Sequence, residues 1–133
     1  MKKLFMLITL LPLMALAYET WTDPSTGIQW KYTIQSHETV LVGDGRGENP
    51  AVNSTVKGAI TIPLAIDGKS VTCIGEGAFS DCSELASVAI PTSVVSVGSF
   101  AFRNCSGLKT VTIPQNVTSV GKSAFLNCSG LTS

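Results

Sequence analysis

The chain has 133 residues, 44% of them hydrophobic and 14% charged, with nine basic and nine acidic side chains. That apolar share excludes a disordered polyelectrolyte and supplies enough side chains for a folded core. The even charge lacks the concentrated basic surface that phosphate binding requires, so nucleic acid is not an expected partner.

Lys2 and Lys3 open the chain, an apolar run extends from Leu4 to Leu16, and Ala15-Leu16-Ala17 offers a small-x-small cleavage site before Tyr18. This is the layout of a secretory signal peptide over residues 1–17. A membrane-spanning helix needs about 20 apolar residues, whereas this run is shorter and carries Pro12. No Cys follows it to accept a lipid, and no later segment is long and apolar enough to span a bilayer. The mature chain is therefore expected outside the cell or at its surface, with seven basic and nine acidic side chains and a formal charge of −2.

In residues 18–58, Ile28, Trp30, Tyr32 and Ile34 alternate with polar residues, Ser36-His37 marks a turn, and Thr39 to Val42 forms a second extended run. This segment reads as an N-terminal β cap, its aromatic side chains covering the first coil of a repeat array that starts at residue 59. Asp44-Gly45-Arg46-Gly47-Glu48-Asn49 mixes carboxylates with glycines but lacks the ligand spacing of a calcium loop, so a solvated turn is expected there. His37 has neither a partner acid nor a nucleophile at a motif spacing and reads as a turn residue.

From residue 59 onward the chain repeats itself. Phe79, Phe102 and Phe125 are 23 residues apart, as are Cys82, Cys105 and Cys128, and Leu85, Leu108 and Leu131. Ile90-Pro91, Val94 and Val97-Gly98 recur at the same spacing as Ile113-Pro114, Val117 and Val120-Gly121. The apolar spacing Leu85-x-x-Val88-x-Ile90 and Leu108-x-x-Val111-x-Ile113 predicts one short strand per coil. Pro91 and Pro114 end that strand because proline has no N–H for a ladder. A second extended piece follows through Val94–Val97 and Val117–Val120, Gly98 and Gly121 permit a turn, and Ser99–Cys105 reads as a short helical or irregular turn with Phe102 inward. Ile60-Thr61-Ile62-Pro63 matches the strand, but Pro63 and Pro91 are 28 residues apart; the five extra residues fall in Leu64–Val71, where Asp67-Gly68 predicts a hairpin-like bulge. The expected fold is a repeat solenoid, a short β-strand plus an irregular or short helical turn per 23-residue coil, with an N-terminal β cap.

The motif Ala-Phe-x-x-Cys-x-x-Leu-x-x-Val-x-Ile-Pro-x-x-Val-x-x-Val-Gly, from Ala78 to Gly98 and again from Ala101 to Gly121, resembles the BspA-like leucine-rich-repeat family. The resemblance spans about residues 56–133 and implies a secreted or cell-surface solenoid, often bacterial, that adheres to host proteins, other cells or polymers. It implies no catalytic residues and fixes no ligand. The chain is short for such a protein and stops at Leu131-Thr132-Ser133, which matches Leu108-Lys109-Thr110. The solenoid over 59–133 is thus expected to be truncated, with self-association through the open C-terminal coil as one consequence.

Four cysteines in an exported chain ordinarily suggest disulfides, yet Cys82, Cys105 and Cys128 share one column with parallel Cβ vectors, which suits buried free thiols better. Cys73 aligns with Ser96 and Ser119 and is expected to be the exposed thiol. No Cys-x-x-Cys pair or neighbouring His supports a metal, no activated serine motif supports catalysis, and no cofactor is expected. Asn53, Asn104, Asn116 and Asn127 sit in N-glycosylation patterns, three of which arise because the repeat places Asn beside structural positions, and they are read as incidental.

Ligand binding is assigned to the outward side chains between the buried strand positions, Ala59 and Thr61, Ser87 and Ala89, Thr110 and Thr112. A strip of small uncharged groups predicts weak contacts repeated over coils, with a protein or glycan at a surface as the partner. Three roles compete: an adhesion or recognition module, a passive structural spacer, and a hydrolase of surface polymers, for which no acid pair or triad can be placed.

Overall fold

The computed structural model describes residues 18–47 and 50–132; the segment 1–17, expected to be a signal peptide, lies outside them. Ten strands occur among these residues: β1 (Glu19–Thr22), β2 (Gln29–Ile34), β3 (Thr39–Val42), β4 (Gly58–Thr61), β5 (Ala65–Ile66), β6 (Lys69–Ile74), β7 (Leu85–Ala89), β8 (Ser96–Val97), β9 (Thr110–Thr112) and β10 (Ser119–Val120). They form two sheets, one in the order β1-β2-β3-β6-β8-β10 with β5 on β6, the other in the order β4-β7-β9.

The 23-residue repeat explains both sheets. Each coil supplies one strand to each, and equal residues of successive coils pair in parallel: Ser87 with Thr110, Val88 with Val111 and Ala89 with Thr112 on one side, Ser96 with Ser119 and Val97 with Val120 on the other. Between the sheets the same side chains stack in columns. Phe79 and Phe102 are fully buried, their ring centroids are 5.0 Å apart and their planes 2° from parallel; Phe102 and Phe125 repeat this at 5.2 Å and 1°. Offset-stacked rings at this separation add attraction beyond the area they bury. Leu85, Leu108, Ile62, Ile74 and Val94 are likewise buried in the common core.

The parallel ladder begins earlier than the 23-residue register reveals. β3 pairs in parallel with β6, and the backbone N–H of Gly75 donates to the Val42 carbonyl at 2.9 Å, as Gly98 does to Ile74 (2.8 Å) and Gly121 to Val97 (2.7 Å). β2 and β1 then continue the sheet antiparallel. Trp30 on β2 is buried edge-on against Phe79, 6.1 Å between centroids and 76° between planes. Among the described residues its buried indole N–H has no hydrogen-bond partner, a cost of about 1–3 kcal/mol that the packing of the ring offsets. Tyr32, buried on the same face, sets its hydroxyl between the carboxylates of Glu19 (2.8 Å) and Asp67, which fastens β1 and the β5–β6 hairpin to β2. Burial, then the hydrogen bonds and charges of Asp67 and Glu19, push this phenol well above its ordinary range.

The five-residue insertion forms a tight hairpin. β5 pairs antiparallel with β6, Ile66 opposite Lys69, and Asp67 and Gly68 between them both take positive φ, 53° and 75°. Two successive left-handed residues define the type I′ turn that matches strand twist, which is what an Asp-Gly pair favours.

The turn segments decide between the helical and the irregular form expected there. Among the described residues there is no helix, and residues 99–104 are a run of turns. The amides there alternate in their partners. Ala101, Arg103 and Cys105 donate three residues back, to Gly98, Phe100 and Phe102, while Phe100, Phe102 and Asn104 donate to Lys122, Ala124 and Leu126 of the next coil. Every second N–H is committed sideways, and Phe100 and Asn104 sit at φ 56° and 59°, so a right-handed helix cannot propagate. The Phe79 coil repeats the pattern, with Gly77, Phe79 and Asp81 donating to Ser99, Ala101 and Arg103. The solenoid therefore carries a third hydrogen-bonded face that is not a sheet.

Gly98 and Gly121 also serve differently from the expected turn residues. Neither takes a positive φ; instead a Cβ on Gly98 would lie 2.6 Å from the Glu76 nitrogen, and one on Gly121 would lie 2.3 Å from the Ser99 nitrogen. They are glycines because neighbouring backbones touch there.

Candidate functional site

The strip assigned from the sequence is built by the β4-β7-β9 sheet. Side chains alternate along a strand, so once Ile60 and Val88 turn into the core and Val111 half-buries beside them, their neighbours face outward. Registered pairing aligns those neighbours across the sheet: Ala59, Ser87 and Thr110 form one column, Thr61, Ala89 and Thr112 the other. Ala59, Thr61, Ala89, Thr110 and Thr112 are exposed, and Ser87 is half-buried. All six assigned residues thus come together on one face of small, uncharged groups with three hydroxyl-bearing threonines and one serine. Lys57 and Lys109, both exposed, stand just before β4 and β9 and border it as cations; the sequence spacing alone did not single them out.

The thiol column runs behind the turn face. Cys82, Cys105 and Cys128 are free, as is Cys73. The Cys105 thiol donates to the Phe79 carbonyl at 3.0 Å and the Cys128 thiol to the Phe102 carbonyl at 2.9 Å. The thiols thus act as coil-to-coil hydrogen-bond donors as well as small apolar groups, and only a protonated sulfur can play that part. Burial pushes Cys82 up to about 11 and Cys105 up to about 12, with the negative charge of Asp81 adding to the first and the neighbouring cysteines to the second. Cys73 is half-buried on β6 and pairs in register with Ser96.

An asparagine ladder flanks this column. Asp81, Asn104 and Asn127 occupy equivalent positions with φ of 64°, 59° and 60°. The Asn104 amide donates to the Asp81 carboxylate at 2.7 Å, and the Asn127 amide to the Asn104 carbonyl oxygen at 2.8 Å. Asn and Asp tolerate the left-handed region better than other L residues, so backbone and side chain both favour them here. The repetition of the Asn-x-Ser pattern has this structural cause.

Asp44 departs from the expected solvated turn: it is buried at 9% exposure and accepts the backbone N–H groups of Arg46 (2.8 Å) and Gly47 (3.0 Å), organising the loop from inside. His37 is exposed in the β2–β3 turn. Among the described residues no group of three or more His, Cys, Asp or Glu side chains is placed to hold a metal, and no helix is long and apolar enough to cross a membrane. An open recess of about 540 Å³ lies between β2 and the 50–56 segment, lined by Ile28, Gln29, Lys31, Val52 and Val56. No side chain with nucleophilic or acid–base character other than Lys31 and hydroxyl groups borders it.

Comparison with known proteins agrees with this architecture. The crystal structure of the T. pallidum leucine-rich repeat protein is similar with a TM-score of 0.64 and 22% identity, over 86% of this chain and 44% of that one. A leucine-rich repeat protein from Bacteroides ovatus is similar with a TM-score of 0.62 and 30% identity, over 77% of this chain and 26% of the other. This chain thus spans less than half the length of either structure. No curated protein sequence matches it significantly. The family described as "BspA type Leucine rich repeat region (6 copies)" matches residues 59–133, more than half of the sequence, and leucine-rich repeats are in general scaffolds for protein–protein interaction. The chain belongs to the BspA-type leucine-rich-repeat family.

Proposed function

We propose that this chain is an exported recognition module that binds protein or glycan ligands outside the cell or at its surface through the β4-β7-β9 face. The observation that carries the reading is the alignment of Ala59, Ser87 and Thr110 beside Thr61, Ala89 and Thr112 on a sheet whose other side is locked into the core. A rigid face loses little entropy on binding. Small side chains leave it flush, so a broad partner can lie across several coils. Lacking aromatic anchors, the face gains strength by repetition, each coil adding a weak contact. The Lys2-Lys3 and Leu4–Leu16 pattern supports export, and β1 to β3, with Trp30 over Phe79, act as the cap that shields the first phenylalanine.

The test is binding of the purified product of the full coding sequence, displayed at high density, to arrays of extracellular proteins and glycans. Replacing Ser87 and Thr110 by arginine puts bulk and charge in the middle of one column without touching the core. The expected result is capture of a ligand and a loss of about tenfold or more in that variant. Capture unaffected by the substitutions refutes the assignment of the face, and no capture above background leaves the passive spacer as the better reading.

A further inference from the structure

The charges of this chain are segregated along the solenoid. All nine carboxylates lie at or before Glu84, and from Leu85 onward the charged side chains are Arg103, Lys109 and Lys122. Arg103 and Lys122 belong to the turn face of the last two coils, away from the β4-β7-β9 strip. The Phe100 N–H donates to the Lys122 carbonyl at 3.0 Å, which sets these residues side by side, and the Arg103 guanidinium carbon stands 5.9 Å from the centre of the Phe100 ring. Leu126, 44% exposed, adjoins them through the bond from the Asn104 N–H to its carbonyl at 2.8 Å.

Phe100 is the anomaly in this patch. The equivalent positions hold Gly77 and Ser123, and all three take the left-handed conformation, with φ of 61°, 56° and 54°. Glycine and serine serve the fold there, so the ring is not a requirement of the turn. A bulky side chain is kept in a conformation that disfavours it, half-buried beside a guanidinium.

We propose that Phe100, Arg103, Lys122 and Leu126 form a binding site for an acidic glycan, a polysaccharide whose sugar rings carry carboxylates. The C–H face of a sugar stacks on the Phe100 ring, and its carboxylate is held by Arg103 and Lys122. A peptide captured by strand addition is disfavoured because the amides of Phe100, Phe102 and Asn104 already donate to the next coil. Asp81 of the Phe79 coil adjoins Arg103, its N–H donating to the Arg103 carbonyl at 2.8 Å, but its carboxylate already accepts the Asn104 amide, and the proposed anionic chain lies on the other side of Arg103, across the Phe102 and Phe125 coils. This site is on a different face from the strip and stands or falls separately from it.

The experiment is titration of the purified chain with polygalacturonate, with its methyl-esterified form and with polyglutamate, at low and physiological salt. The expected result is salt-sensitive binding of polygalacturonate, lost on esterification, and reduced about tenfold or more by Phe100→Ser and by Arg103→Gln but unchanged by Lys57→Gln. Phe100→Ser installs the residue found at position 123, so its thermal unfolding is expected to match or exceed that of the parent; Arg103→Gln changes an exposed side chain and serves independently of that expectation. Absence of polygalacturonate binding overturns the proposal. So does equal binding of polyglutamate, insensitivity to Phe100→Ser, or an equal loss from Lys57→Gln, each of which would reduce the effect to unspecific charge attraction or a peptide site.

Discussion

Replacing Phe102 by alanine tests whether the stacked rings hold the coils together. The ring is fully buried and lies between Phe79 at 5.0 Å and Phe125 at 5.2 Å, so the substitution removes contacts at two coil interfaces at once. Truncating a buried phenylalanine costs about 3–5 kcal/mol through lost transfer energy and the cavity left behind. A rigid column of rings collapses poorly into such a cavity, which places the expectation near 4 kcal/mol. Against a total stability of about 5–15 kcal/mol for a domain, that is a large fraction. Phe125 is half-buried and touches one ring of the column, so Phe125→Ala is expected to cost about half as much. Equilibrium urea unfolding, followed by tryptophan fluorescence from Trp30 and by far-ultraviolet circular dichroism, measures both. Equal losses in the two variants, or a loss below about 1.5 kcal/mol for Phe102→Ala, would refute the column as the main tie between coils.

Three further expectations use the same assay. Gly98→Ala brings a Cβ to 2.6 Å from the Glu76 backbone and is expected to cost about 3 kcal/mol, whereas Gly58→Ala meets open space at φ 77° and costs about 1 kcal/mol; the reverse order would sink the close-approach reading. The thiols of Cys82 and Cys105 are raised in the folded chain from an ordinary 9 to about 11 and about 12, so above pH 9 the unfolded chain loses protons first and stability falls as pH rises towards 12. A Cys82→Ala, Cys105→Ala double variant, compared with its own value at pH 8, is expected to show a shallower fall, and an unchanged pH profile counts against the assignment. Asn104→Gly keeps the left-handed backbone and loses only the side-chain ladder, so it is expected to be less damaging than Asn104→Ala, which loses both, by about 1 kcal/mol.

Much of this fold is written in the 23-residue register, because identical side chains at identical heights leave few alternatives to stacking. The strands β7 and β9, the phenylalanine column and the Asp67-Gly68 hairpin follow from spacing and turn chemistry alone. The turn face does not. Its backbone is set by amides that bond to the next coil, and sequence periodicity reports which side chains are buried without saying where the N–H groups point. The start of the parallel ladder at β3 was hidden for another reason: the hairpin insertion and the 43–57 loop break the register, although Val42-Gly43 shares its apolar-glycine pair with Ile74-Gly75 and Val97-Gly98. The outward strip proposed for binding was legible as a face because alternation along a strand fixes which side chains face out. The aromatic patch was not, since Phe100 differs from its counterparts at 77 and 123 and a search for periodicity discards such positions.

That difference bears on how function is read from a repeat. In a stack of equal coils the positions that agree are those the stack itself demands: a ring in the column, a thiol on a carbonyl, a glycine where backbones touch. A residue that departs from its counterparts and is harder to accommodate than they are has no such reason to be there. At Phe100 the left-handed conformation is met by glycine in one neighbour and by serine in the other, and any residue but glycine bears a cost of order 1–3 kcal/mol there, so the turn does not select a ring. The guanidinium beside it offsets part of that cost at most, since an exposed pairing of this kind contributes about 0.5–1 kcal/mol. The turn itself does not call for the ring, and the ligand site proposed above supplies a reason for it to stand at this one coil.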